Sequence, residues 1–158
     1  MTKPLMVHVI TNFAGVGGAE MMLARLIQCT EQQYKHVIIA LMKTSEVYQS
    51  TLDRCQAHYA LDWNGINTLG TVSKLRTLLK KLQPATVQCW MYHANVMTSL
   101  SIIGLAQKPK VVWGIHHSLA SPKDESISTK IALGLSKILS QQASAIIYCA
   151  HSSMQQHQ

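Results

Sequence analysis

Apolar residues along this chain fall into short runs, and between the runs they recur at helical spacing. The runs Leu5–Thr11, His36–Met42, Ala57–Leu61, Thr86–Met91, Val111–Ile115 and Ala145–Cys149 are rich in Val and Ile. Most are apolar without alternation, the pattern of strands covered on both faces. Ala19–Thr30 carries Met22, Leu23, Leu26 and Ile27 on one stripe, and Thr68–Leu82 carries Leu69, Val72, Leu75, Leu78, Leu79 and Leu82. Asn95–Ala106 is apolar on several faces, which predicts a helix packed inside the domain. Ser126–Gln142 carries Ile127, Ile131, Leu135, Ile138 and Leu139. Pro84 and Pro109 each stand just before a run and end the helix that precedes it. This alternation predicts a Rossmann-like three-layer α/β/α sandwich with a mostly parallel sheet of about six strands. Its ligand edge should lie at the carboxyl ends of the strands.

The first run passes directly into a glycine-rich turn, "NFAGVGGAEMMLARLI", and the turn opens into the first helix. Gly15, Gly17 and Gly18 permit positive φ and close approach of a ligand, and the helix aims its free N–H groups at the same place. The pattern is not the dinucleotide fingerprint, because Glu20 stands where its third glycine would be. Strand two ends in "ALMKTSE", with Lys43 nearest and no acid placed to hold a ribose. No Gly-Lys-Ser/Thr follows, so the P-loop is excluded as well. Glu20 itself falls in the first helical turn, where the helix dipole favours a carboxylate; simple capping accounts for it equally well.

Two further places could carry chemistry. In "VVWGIHHSLASP", His116 and His117 follow strand five at the edge of the glycine loop. Adjacent residues diverge, so at most one faces the cleft, and His116 is the better candidate to donate to a hydroxyl or phosphate, or to move a proton. Asp124 or Glu125 could pair with it. A metal site there would need a third ligand that the spacing does not supply. In "MYHANVMTSL", His93 could bind substrate hydroxyls, and Asn95 fits a helix N-cap. Trp63, Trp90 and Trp113 read as core.

Composition narrows the class. Apolar residues make up 47% of 158 positions and charged ones 13%, which describes one folded domain. No apolar run approaches the roughly 20 residues that span a bilayer. The amino terminus reads as a first strand, not a signal peptide, and a cytoplasmic location is the default expectation. Cys29, Cys55, Cys89 and Cys149 form no Cys-x-x-Cys pair, so neither zinc nor a redox dithiol is supported. The net charge of +7 favours an anionic partner. No Arg-rich or aromatic-interleaved run suggests nucleic acid. The cluster Lys74, Arg76, Lys80 and Lys81 leaves a peripheral contact with the inner face of a cell membrane open.

Together these residues resemble the amino-terminal domain of family 4 glycosyltransferases, retaining enzymes of the two-domain GT-B fold. The likeness rests on Gly17-Gly18-Ala19-Glu20 before an apolar helix, on "WGIHHS" after strand five, and on "AIIYCAHSSMQQH" near the end. It implies that residues 1–158 are one acceptor-side domain, and that a carboxyl-terminal domain holding most of the donor is absent from this stretch. Ser152 or Ser153 could begin a helix that the chain stops inside, so a piece of a longer protein is expected. The likeness also implies a nucleotide-sugar donor, no metal or other cofactor, and a glycan or lipid-linked acceptor. Gly17 and Gly18 would meet the donor diphosphate, and His116 would contact the transferred sugar. Glu20, His93, Asn95 and His117 are the acceptor candidates. Polysaccharide, lipopolysaccharide or glycolipid assembly is the expected setting, with the domain inactive or nearly so alone. A sugar-nucleotide epimerase of related architecture would call for paired carboxylates at the strand ends, and none is found. A non-catalytic ligand- or membrane-docking domain stays open.

Overall fold

A computed structural model describes residues 2–115 and 126–148. His116, His117, Asp124, Glu125, Cys149 and the closing serines lie outside the described residues. The elements run β1 (Leu5–Ile10), α1 (Gly18–Thr30), β2 (Lys35–Ala40), α2 (Gln49–Leu52), β3 (Ala57–Ala60), α3 (Thr68–Leu82), β4 (Thr86–Trp90), α4 (Tyr92–Ser101), β5 (Lys110–Ile115), α5 (Ile127–Leu139) and β6 (Ala145–Tyr148). Short 3-10 turns at Glu46–Tyr48 and Ser140–Gln142 precede α2 and follow α5. The six strands form one sheet in the order β3-β2-β1-β4-β5-β6. Every pairing in it is parallel. The expected Rossmann-like α/β fold is therefore present.

Strand alternation sorts the core into two layers. Val7 and Val9 of β1 and Val37 and Ile39 of β2 meet Leu75 and Leu79 of α3, Val96 and Met97 of α4, and Ala132 and Leu139 of α5. Ile10, Ile38 and Ala40 face the other way, against Leu23 and Ile27 of α1 and Leu52 of α2. Each fully buried Leu or Ile contributes about 1.5–3 kcal/mol, so both faces of the central strands hold the sheet. The edge strands β3 and β6 alternate between partly buried and exposed positions, as one-sided strands should. The chain leaves β1 toward one face and β4 toward the other, so the β1–β4 boundary is the topological switch point where such sheets open a crevice.

Helix α4 departs from expectation at its start. It begins at Tyr92, so Asn95 sits inside the helix instead of capping it. The cap is Met91, held at φ 79° and ψ 161°. That region is almost closed to side chains with a Cβ and costs on the order of 1–3 kcal/mol. The strain buys an immediate turn from strand to helix, which local propensity cannot announce. Eight of the ten α4 residues are buried, in keeping with the predicted internal helix.

Helix α5 departs in a different way. Its side toward the sheet is made by Ala132 and Leu139, while Ile127, Ile131 and Ile138 are 77, 59 and 72% exposed. The apolar stripe read from the sequence thus lies mostly on the outside.

Candidate functional site

The glycine turn lies at the carboxyl end of β1 and feeds α1, whose N-cap is Gly17. None of Gly15, Gly17 or Gly18 takes positive φ; among the described glycines only Gly65 and Gly104 do. Gly17 is extended, a conformation open to any residue. What glycine supplies here is room: a Cβ on Gly18 would meet nothing within 4 Å. A Cβ on Gly17 would run into the Glu20 carboxylate, which folds back over the turn. Glu20 therefore places its negative charge where the helix dipole and the free N–H groups would hold a bound anion.

The turn is braced from the segment that follows β2. Phe13 N–H donates to the Lys43 carbonyl at 2.9 Å, the Tyr48 hydroxyl donates to the Gly15 carbonyl at 2.9 Å, and the Phe13 and Tyr48 rings stack with centroids 4.2 Å apart. Burial, with Glu20 adding its charge, raises the Tyr48 phenol above its ordinary value, so the donor stays protonated. Tyr48 belongs to no motif, and only the pairing of β1 with β2 brings it to the loop.

Across the switch point, α4 starts from strained Met91. Asn95 is fully buried, and neither its side-chain oxygen nor its nitrogen has a hydrogen-bond partner. Such an orphan costs roughly 1–3 kcal/mol and is rare in a core. His93 stands against Trp63, ring centroids 5.0 Å apart, with its Nε2 buried and unpartnered. Burial lowers the His93 pKa, opposed by a backbone hydrogen bond at Ser128. With the other ring nitrogen donating at Ser128, neutral His93 offers Nε2 as an acceptor. Trp90 and Trp113 are core as expected, whereas Trp63 helps to wall a cavity. Cys89 is buried, and burial pushes its thiol up to about 12, so it behaves as an inert apolar side chain.

The structure therefore brings Gly17, Gly18 and Glu20 together on the α1 side of the crevice. It sets His93 and Asn95 on the α4 side. The basic cluster is less uniform than its spacing suggests, because Arg76 donates to the carbonyls of Ser101 and Ile103 and so secures the end of α4.

A profile of Glycosyltransferase Family 4 matches residues 16–158. The chain belongs to glycosyltransferase family 4. The match begins within the glycine turn. This family 4 domain also shares its fold with solved glycosyltransferases. With Anabaena HepE bound to UDP and glucose the TM-score is 0.68 at 14% identity, over 96% of this chain and 40% of that one. With the lipopolysaccharide outer core galactosyltransferase WaaB it is 0.73 at 13% identity, over 96% and 41%. With Acinetobacter baumannii MurG it is 0.60 at 17% identity, over 95% and 43%. The chain spans about two fifths of the length of each of these proteins. No curated protein sequence matches it. The expected likeness to the GT-B glycosyltransferases thus holds at the level of fold.

Proposed function

We propose that this family 4 domain forms the acceptor side of a retaining glycosyltransferase that moves a sugar from a nucleotide-sugar to a glycan or lipid-linked acceptor. The observation that carries the reading is the glycine turn at the amino end of α1, braced by Tyr48 and covered by Glu20, with strained Met91 and orphaned Asn95 starting α4 on the other side of the switch point. The complexes of HepE with UDP and with UDP-glucose support a nucleoside diphosphate donor.

In this mechanism the Gly17 and Gly18 N–H groups and the α1 dipole stabilise the departing diphosphate, and Glu20 swings away to admit it. His116 contacts the transferred sugar, and His93, Asn95 and His117 bind acceptor hydroxyls. Stabilising the leaving group requires donors from a second domain, so the 158-residue chain alone transfers sugar poorly or not at all. No metal takes part. The exposed lysines of α3 provide a weak contact with anionic lipid at the inner membrane face.

The test is a titration of the isotopically labelled chain with UDP-glucose, followed by amide NMR, alongside a transfer assay. Shifts centred on Gly17 and Gly18, without transfer, are expected. Robust transfer by the chain alone would overturn the division of labour, and silent glycine amides at millimolar ligand would overturn the donor site.

A further inference from the structure

A cavity of about 210 Å³ opens beside His93, between the segment before α3 and helices α4 and α5. Its walls are Trp63, Val96, Met97, Leu100, Ile131 and Leu135, with Gly65, Thr68, Ser128, Ala132 and His93 completing them. Few polar atoms face it. The Thr68 hydroxyl is already engaged, accepting from Trp63 Nε1 at 3.0 Å and donating to the Gly65 carbonyl at 2.6 Å. His93 Nε2 is buried without a partner.

The wall before α3 is preformed. Asn64 Oδ1 accepts from the Ile66 and Asn67 N–H groups, Asn67 Oδ1 accepts from Asn64 N–H, and Asn67 Nδ2 donates to the Asp62 carbonyl. Gly65 at φ 90° completes this tight segment. Around it stand large apolar side chains in water: Ile66 is 95% exposed and Leu69 87%. Ile127 and Ile131 on α5 are exposed on the other side. Side chains like these, clustered at an apolar pocket, mark a place where apolar material binds.

We infer that this cavity takes the alkyl or isoprenoid portion of the acceptor, with His93 at the junction to its polar head. The inference rests on the acceptor-side reading above and narrows it to an acceptor with an apolar chain. The occupant is argued from size and chemistry. The cavity has the volume of about seven liquid waters, and a methylene needs much the same room, so a chain of about seven carbons fills it. A free sugar would leave apolar walls wet and find few hydrogen-bond partners. The end of the cavity lined by His93 and Ser128 lies where α4 and α5 begin, toward the carboxyl edge of the sheet.

The test uses the chain itself and a series of alkyl β-glucosides, each below its micelle concentration, read by the Trp63 indole and His93 ring signals in NMR. Affinity should rise roughly fourfold for each methylene up to about seven carbons and then level off, since each buried CH₂ contributes a fixed increment. Glucose should not bind there. Ile131→Glu, at an exposed wall position, should abolish the dependence on length with its melting temperature unchanged. Ile138→Glu, on the same helix but outside the cavity, should leave binding intact. Affinity indifferent to chain length, or equal loss in both variants, would overturn the inference in favour of general surface adsorption. UDP-glucose added to the same samples separates the two readings. Glycine-turn shifts with no alkyl selectivity would overturn the pocket assignment and keep the transferase reading. Alkyl selectivity without those shifts would keep the alkyl site and overturn its assignment to an acceptor.

Discussion

A chain of polar side chains crosses the core on the α1 face, and it makes stability depend on pH. Trp90 Nε1 donates to His8 Nδ1 at 3.3 Å, His8 Nε2 lies 3.0 Å from His36 Nδ1, and His36 Nε2 lies 3.1 Å from Thr30 Oγ1. Thr30 Oγ1 in turn donates to the Leu26 carbonyl at 2.6 Å. The indole only donates, so His8 must accept at Nδ1 and donate from Nε2; His36 follows in the same tautomer. Both rings are neutral, and every link is used. A proton on His8 would set N–H against N–H at the indole. One on His36 would do so between the rings. Burial chiefly, and the nearby His36 secondly, lower the His8 pKa to about 3; burial also lowers that of His36, with Thr30 and Glu31 acting the other way. The Tyr34 ring is the other aromatic neighbour of His36.

The sign follows from the lowered value. Unfolded His8 takes up its proton below about pH 6.5 while the folded ring does not, so the full contribution is present above that pH and is lost as pH falls toward 3. The loss approaches about 1.4 kcal/mol per pH unit for His8 well below pH 6.5, and comes to about 2 kcal/mol between pH 7 and 5. Against a typical total of about 5–15 kcal/mol this is a large fraction. Urea unfolding at pH 7, 6 and 5, followed by tryptophan fluorescence, measures it, and most carboxylates remain ionised over that range. His8→Gln can accept from the indole and donate to His36 without titrating. It should flatten the dependence by about 1.4 kcal/mol per pH unit, leaving what His36 and His93 contribute in the same direction. An equal slope in wild type and His8→Gln would refute the reasoning, whatever the variant does to stability at pH 7.

Three further outcomes are expected. Gly18→Ala places a methyl in open space at the first turn of α1, so its melting temperature should hold or rise slightly, while UDP-glucose affinity in titration calorimetry falls about tenfold, or about 1.4 kcal/mol. Tyr48→Phe keeps the stack on Phe13 but loses the hydroxyl donated to Gly15. It should cost about 1 kcal/mol in urea unfolding and broaden the amide signals of residues 14–17. Arg76→Met removes the donor to the Ser101 and Ile103 carbonyls and should destabilise by about 1–3 kcal/mol in urea unfolding. Its sedimentation with anionic vesicles should not change, whereas Lys80→Glu should reduce it.

The sequence alone determined the layers, the order of elements and the position of the glycine turn. Those features follow from local rules: unalternated Val and Ile runs need cover on both faces, and a glycine turn between strand and helix has a fixed place in such a sheet. It also brought out His93 and Asn95 as residues at the ligand edge, though not their setting. The start of α4 was hidden because Met91 adopts a conformation no propensity favours, and only the surrounding packing holds it there. The turn and short helix at residues 46–52 carry no long apolar period, so Tyr48 went unseen until parallel pairing of β1 and β2 set it under the loop. His8 and His36 sit inside apolar runs, 28 residues apart, and become partners through the register that pairs Met6 with His36 and His8 with Ile38. Helix α5 shows the limit most directly. Its period announces an amphipathic helix, but the side buried in the fold is that of Ala132 and Leu139, while Ile131 stays 59% exposed. Periodicity is a property of one segment, whereas burial belongs to a pair of surfaces, and the second surface exists only in the folded chain.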